Sequence, residues 1–281
     1  YREAAALFSR AGDREHSVMA DIGLADALSA TGDLDEAARR YARARMRAVS
    51  HGLPVLEAMI DESMALLDLS CGRYRDALGG LERSRRCYEQ LHMPQQLAIA
   101  EKQLGDAYLE LRLLPEATAL LEEAVSRFDS LAMPDDQAWA MAQLGRARAL
   151  QGHIDQATTS LGQAAGLFAA QGSRVGEAAV ALVRAELALA NGDALAALAL
   201  AESACAGFGA AGHAHFRASA DAQAAAALLQ AGRVDDAAAR FQAGLKSVQD
   251  ARLLPTQVRC LTGLGLVAQA KGQLRDAIRS F

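Results

Sequence analysis

"LQAGRVDDAAARF" occupies Leu229–Phe241, and forty residues later the chain reads "QAKGQLRDAIRSF" (Gln269–Phe281). Forty residues earlier it reads "LANGDALAALALA" (Leu189–Ala201). Each copy has a glycine followed five residues on by an alanine. Gly32, Gly72, Gly152, Gly192, Gly232 and Gly272 share one 40-residue lattice, with Arg112 at the remaining point. Ala37, Ala77, Ala117, Ala157, Ala197, Ala237 and Ala277 follow them in step. Seven residues before each lattice point stands a second small residue: Ala25, Ala65, Gly105, Gly145, Ala185, Ala225 and Gly265. A fixed period of this length is the mark of stacked supersecondary units.

The columns predict helical hairpins. A first helix of roughly 16 residues, such as "QQLAIAEKQLGDAYLE" (Gln95–Glu110), runs to the lattice glycine, which ends it in a left-handed conformation without a Cβ penalty. A second helix follows within two or three residues, as in "DEAARRYARARMRAVS" (Asp35–Ser50). Asp33 and Asp193 stand where N-caps belong, and Pro115 falls in a first helical turn. The two small columns lie one on each helix, so the axes can approach closely and larger neighbours fill the gaps. A late column, Phe8, Tyr88, Phe128, Phe168 and Phe208, suits packing between adjacent hairpins. Second helices end at "HGLP" (His51–Pro54), "LHMP" (Leu91–Pro94) and "LAMP" (Leu131–Pro134), where proline presets the next helix.

Composition agrees. The 281 residues are rich in alanine and leucine, with 5% aromatics and five prolines, which favours helix over sheet. The formal charge of −5 lacks the basic footprint of a nucleic-acid grip. Cys71, Cys87, Cys205 and Cys260 form no close pair, which suits small buried side chains in a reducing, cytoplasmic setting. Ala178–Ala201, the most apolar segment, is broken by Arg184, Glu186, Asn191 and Asp193 and does not make a membrane span. The predicted fold is all-α, a right-handed α-solenoid of antiparallel hairpins and a single domain over 1–281. It comprises a partial repeat 1–11, complete repeats at about 15–51, 55–91, 95–131, 135–171, 175–211 and 215–251, and a truncated repeat 255–281. Because the chain lacks an initial methionine and both ends fall inside the pattern, it reads as a piece of a larger protein.

The columns resemble the tetratricopeptide repeat. "LGDAYLELRLLPEATALLEEA" (Leu104–Ala124) carries Leu104, Gly105, Tyr108, Ala117, Leu121 and Ala124 in that motif's register, and "LGRARALQGHIDQATTSLGQA" (Leu144–Ala164) is nearly as close. The period is 40 residues, against the family's about 34. Long-period repeats with "LPEA" turns also resemble the helical region of bacterial CHAT proteases and the sensor region of large transcriptional regulators. Pentatricopeptide and HEAT repeats fit less well, the first lacking basic character here and the second this register. The resemblance implies a concave groove, formed by first helices, that binds protein or peptide. It places Asp26, Glu62, Lys102, Gln103, Asp106, Trp139, Gln143, Arg146 and Glu186 along that groove. The paired Lys and Asn with which some members clamp a terminal carboxylate are absent at the matching positions.

Catalytic chemistry finds no foothold in the sequence. No phosphate-binding loop, HExxH or GxSxG occurs, and no catalytic, metal or cofactor residue is assigned. "HAH" at His213–His215 lacks a third ligand, and nothing marks Cys71 and His51 as partners. Arginines from Arg39 to Arg47, continued by Arg83, Arg85 and Arg86, are expected on a solvated outer face. The expected activity is therefore binding without catalysis: a scaffold for a protein or peptide, with an attached effector domain as a further candidate partner, without contact to nucleic acid or membrane. The alternatives are the regulatory region of a CHAT protease and the sensor arm of a transcriptional regulator.

Overall fold

The computed structural model describes residues 1–248 and 254–273. Among them every regular element is a helix: α1 (Arg2–Arg10), α2 (Arg14–Ala30), α3 (Leu34–His51), α4 (Pro54–Ser70), α5 (Tyr74–Gln90), α6 (Pro94–Glu110) and α7 (Leu114–Ser130), then α8 (Pro134–Leu150), α9 (Ile154–Gln171), α10 (Arg174–Ala190), α11 (Ala194–Ala210), α12 (Ala214–Gln230), α13 (Val234–Val248) and α14 (Leu254–Ala270). The architecture is an all-α helical-repeat solenoid of tetratricopeptide-like hairpins. Contacts divide the chain into two compact units, Tyr1–Arg127 and Phe128–Phe281. Ala277 and the end of the truncated repeat lie outside the described residues.

One joint explains the rest. At the end of α2, Gly32 takes φ +85°, its N–H bonds to the Ser29 carbonyl at 3.1 Å, and the Asp33 N–H bonds to the Leu28 carbonyl at 2.9 Å. This is a Schellman motif, which satisfies carbonyls a helix end would otherwise orphan. Asp33 then caps α3, its carboxylate accepting the Glu36 N–H at 3.3 Å. Asp13, Ser173 and Asp193 do the same for α2, α10 and α11. Where the capping residue is Leu53, Met93 or Met133, Pro54, Pro94 or Pro134 opens the helix instead, its missing N–H costing nothing there.

The sequence separates two kinds of turn, a glycine lattice inside hairpins and proline joints between them. The structure builds both alike. Left-handed residues recur every 20 positions, at Gly12, Gly32, Gly52, Gly72, His92, Arg112, Ala132, Gly152, Gly172, Gly192, Gly212, Gly232 and Gly272. The extra length over a shorter-period hairpin therefore sits in the helices, most of which run 17 residues.

The small columns pack as their spacing requires. Ala25, Ala37, Ala77, Ala117, Ala157 and Ala197 are fully buried. A Cβ added to Gly105 would stand 2.8 Å from Leu121 Cγ, and one on Gly145 would stand 2.8 Å from Leu161 Cγ. Tyr88, Phe128, Phe168 and Phe208 are buried too, and Phe168 fills the space where a side chain on Gly176 would collide with it.

Two glycines of one hairpin test this packing. Gly145→Val drives a side chain into Leu161 and should cost about 1–3 kcal/mol. Gly162 lies mid-helix in α9 with nothing near its Cβ position, so Gly162→Ala should gain about 0.5–1 kcal/mol. Urea denaturation reads both, and equal effects of the two substitutions would contradict the close approach at Gly145.

Candidate functional site

In the first unit, the expected groove residues lie on α2, α4 and α6, the first helices of their hairpins. Glu62 on α4 accepts the Gln103 amide from α6 at 2.8 Å and the Tyr88 hydroxyl from α5 at 3.0 Å. Asp26 accepts the Tyr41 hydroxyl, and Lys102 pairs with Asp106 one turn along α6 at 2.9 Å. Burial, and then the acceptor carboxylate, pushes both tyrosines well above their ordinary range. Glu62 and Gln103 are thus brought together, whereas Asp26 is held by its own hairpin. Met19 and Met59 share the 40-residue register with Trp139 and stay 45% and 38% exposed, which gives this face adaptable apolar contacts. The sequence reading missed that column.

In the second unit, Arg146 on α8 donates to Glu186 on α10 at 2.9 Å, a pair 40 residues apart. Arg259 on α14 comes within 3.6 Å of the other Glu186 oxygen and donates to Ser219 on α12 at 3.3 Å. Trp139 is half-buried and meets Phe168 edge-on, ring centroids 5.2 Å apart, so it is both core wall and surface. Gln143 lies on α8 between Trp139 and Arg146, half-buried. Beside Arg259 a hollow of about 460 Å³ opens among α10, α12 and α14. Neither Arg259 nor the hollow was anticipated: the glycine found at 263 also stands at 23 on the same lattice, with Ser63, Gln103, Gln143, Val183 and Gln223 between them, so the position alone does not mark it.

The arginine cluster meets the expectation of a solvated face at Arg39, Arg43, Arg83 and Arg86, which stay more than half exposed, and departs from it at Arg45 and Arg47. Arg39, Arg40 and Arg43 gather on Glu36, and Arg85 and Arg86 on Glu82, as solvated pairs along their own helices. Arg45, Arg47 and Arg83 instead reach carboxylates on first helices, Arg45 and Arg47 from partly buried positions. Asp61, 4% exposed at its side chain, is clamped by Arg45 from α3 at 2.7 Å and by Arg83 from α5 at 2.9 Å. Arg47 pairs with Asp21, Arg127 with Glu101, and Arg240 with Asp221. Asp21, Asp61, Glu101 and Asp221 form a further 40-residue column, legible but unread in the sequence.

The environments of these carboxylates differ. Burial pushes Asp61 up, but two guanidinium groups outweigh it and hold the carboxyl below its usual range. At Glu101 burial wins over the single Arg127, and the carboxyl is raised. Cys205 donates to Asp221 at 3.4 Å, and burial with that carboxylate pushes its thiol up to about 12. Burial also raises Cys87 and Cys260. A thiol so protonated is a poor nucleophile. His213 closes the joint before α12 against Phe216, ring centroids 6.0 Å apart. Among the described residues no group of three or more His, Cys, Asp or Glu gathers at a metal-binding separation, and no helix is long and apolar enough to cross a membrane.

No protein-family model matches the chain, and no curated protein matches it by sequence. Solved structures do match. Aspartyl phosphate phosphatase F of Bacillus subtilis superposes with a TM-score of 0.73 at 11% identity, over 96% of this chain and 68% of that one. The Rap conjugation gene regulator of plasmid pLS20, solved with the Phr* peptide, gives 0.73 at 13% identity, over 95% and 74%. A signal transduction ATPase of Pyrococcus horikoshii with a tetratricopeptide repeat sensor gives 0.62 at 13% identity, over 95% and 41%. At these identities the likeness is one of fold.

The carboxylate column predicts opposite pH behaviour at two positions. The folded-state pKa of Asp61 is depressed, so its contribution is present above its ordinary value of 3.8 and lost as pH falls through the folded value. Asp61→Asn should cost about 1–3 kcal/mol at neutral pH, moderated because Arg83 stays more than half exposed, and the deficit should shrink in acid. The folded-state pKa of Glu101 is raised, so its ionised form burdens the fold above that value and protonation relieves it as pH falls toward 4.5. Glu101→Gln should therefore gain up to about 1 kcal/mol at neutral pH. Urea denaturation across pH measures both, and a deficit for Glu101→Gln as large as that for Asp61→Asn would contradict this assignment.

Proposed function

We propose that this chain is a non-catalytic scaffold that binds a linear peptide or an extended protein segment on the faces of its first helices. The observation that carries this reading is the register of that face: Glu62 with Gln103, and Arg146 with Glu186, are held side by side on successive first helices. Half-exposed Trp139 and partly exposed Met19 and Met59, also on first helices, supply apolar contact. Fixed polar groups interleaved with apolar side chains, repeated at one helix spacing, suit a partner that is itself periodic, such as an extended polypeptide. The pLS20 regulator, of the same fold, was solved holding a peptide, which supports the same class of partner here. The mixed charge of the face favours a polar peptide over nucleic acid. Asp26, Lys102, Gln103, Asp106, Gln143 and Glu186 are assigned to recognition in this reading.

A second reading is a sensor arm within a larger regulator. It is favoured by the Pyrococcus horikoshii protein, whose repeat region is a sensor. The same face would then take the signal, and an effector domain would lie elsewhere in the polypeptide.

Peptides enriched from a displayed library on the wild-type protein provide the test. Arg146→Glu and Trp139→Ala should each weaken a peptide held by the second unit by about tenfold, and Lys102→Glu one held by the first, as anchors near the centre of an interface do, with helix content unchanged. Unchanged affinity across all three variants would reject the first-helix face as the binding surface.

A further inference from the structure

The hollow among α10, α12 and α14 is a built feature. Its floor is the Phe241 ring from α13, which comes through because position 263 is glycine, where a Cβ would collide with that ring. Tyr41 has the same 22-residue offset to Ser63, and there a side chain fills the position. The walls are Leu189, Ala226, Leu229 and Leu266. In the register that carries Arg146 and Glu186 in earlier repeats, Ala226 and Leu266 follow, so the face changes from ionic to apolar along the second unit. A volume of about 460 Å³ holds one large side chain with its backbone, within the range of small ligand sites.

Among the described residues Arg259 supplies the single charge in the lining. Its guanidinium stands 3.6 Å from Glu186, whose other oxygen is engaged by Arg146 at 2.9 Å, and among the described residues no carboxylate lines the hollow. Gln230, at the mouth, donates to the Leu189 carbonyl at 3.2 Å. An apolar cleft beside a weakly paired guanidinium complements an apolar side chain accompanied by a carboxylate. The face continues past Glu186 to Arg146 and Trp139, so a bound strand runs on from the hollow and does not end there. The carboxylate is then an internal Asp or Glu side chain. In an extended strand, residues two apart share a face at about 7 Å.

Building on the peptide reading above, we propose that this hollow is the anchor subsite for a linear peptide carrying a bulky apolar residue, with an acidic residue two positions away on Arg259. The probe is a displayed library of randomised linear peptides, panned on the wild-type protein, with the enriched sequence resynthesised bearing a fluorophore for anisotropy titration. Enriched sequences should place Leu, Ile, Met or Phe two residues from Asp or Glu. Thr262→Trp, at an exposed position on the rim, should weaken binding by about tenfold or more while circular dichroism stays unchanged, and Ala226→Trp should do so from within the hollow. Arg259→Glu, panned afresh, should exchange the acidic preference for a basic one. Amidating the C-terminus of the peptide should change nothing, and a loss on amidation would overturn the side-chain placement. Peptides that lose binding on Trp139→Ala but not on Thr262→Trp or Ala226→Trp would overturn the subsite and leave the peptide reading standing. A library from which nothing enriches would overturn both.

Discussion

Every described joint turns on one residue held at positive φ, with the next N–H folded back onto a carbonyl five residues earlier. Left-handed backbone is easy for glycine and costs other residues about 1–2 kcal/mol. Ten of these positions are glycine, and His92, Arg112 and Ala132 accept the strain. Because the joint recurs every 20 residues, helices have nearly equal length and each residue type returns to the same place after two of them. The side-chain columns have their meaning only because the joints keep that count.

Three layers of chemistry rest on the register. Small residues at Gly105 and Gly145 bring paired helices close enough for Leu121 and Leu161 to fill the seam. Behind the first helices, Asp61 receives Arg45 from the preceding hairpin and Arg83 from its own, which ties hairpins by charge as well as by apolar packing. Elsewhere on first helices lie Glu62 with Gln103 and, in the second unit, Arg146 with Glu186. The first two layers explain why the chain folds. The third is what it offers a partner.

The fold was legible because it depends on residues whose size and backbone freedom are extreme, and Gly32, Ala37 and Gly145 announce themselves at a fixed spacing. The equality of the two joints was hidden, since Leu91–His92 and Thr31–Gly32 reach one geometry through different residues. The candidate site was less legible. Lys102 and Asp106 could be placed on a face, but whether Arg45 was solvated or buried against Asp61 depends on the depth between helices, which spacing alone does not reveal. The hollow at Gly263 exists because Phe241 points through a gap in another helix, a long-range fit visible only in three dimensions.

The joint can be tested where nothing else is disturbed. Gly152 sits at φ +82° with open space around its Cβ position, and Ala132 occupies the equivalent place before α8 at φ +53°. Thermal and urea unfolding of Gly152→Ala and Ala132→Gly read the backbone term directly. The left-handed joint predicts a loss of about 1–2 kcal/mol for the first and a gain of about 0.5–1 kcal/mol for the second. Two variants indistinguishable from wild type would contradict it.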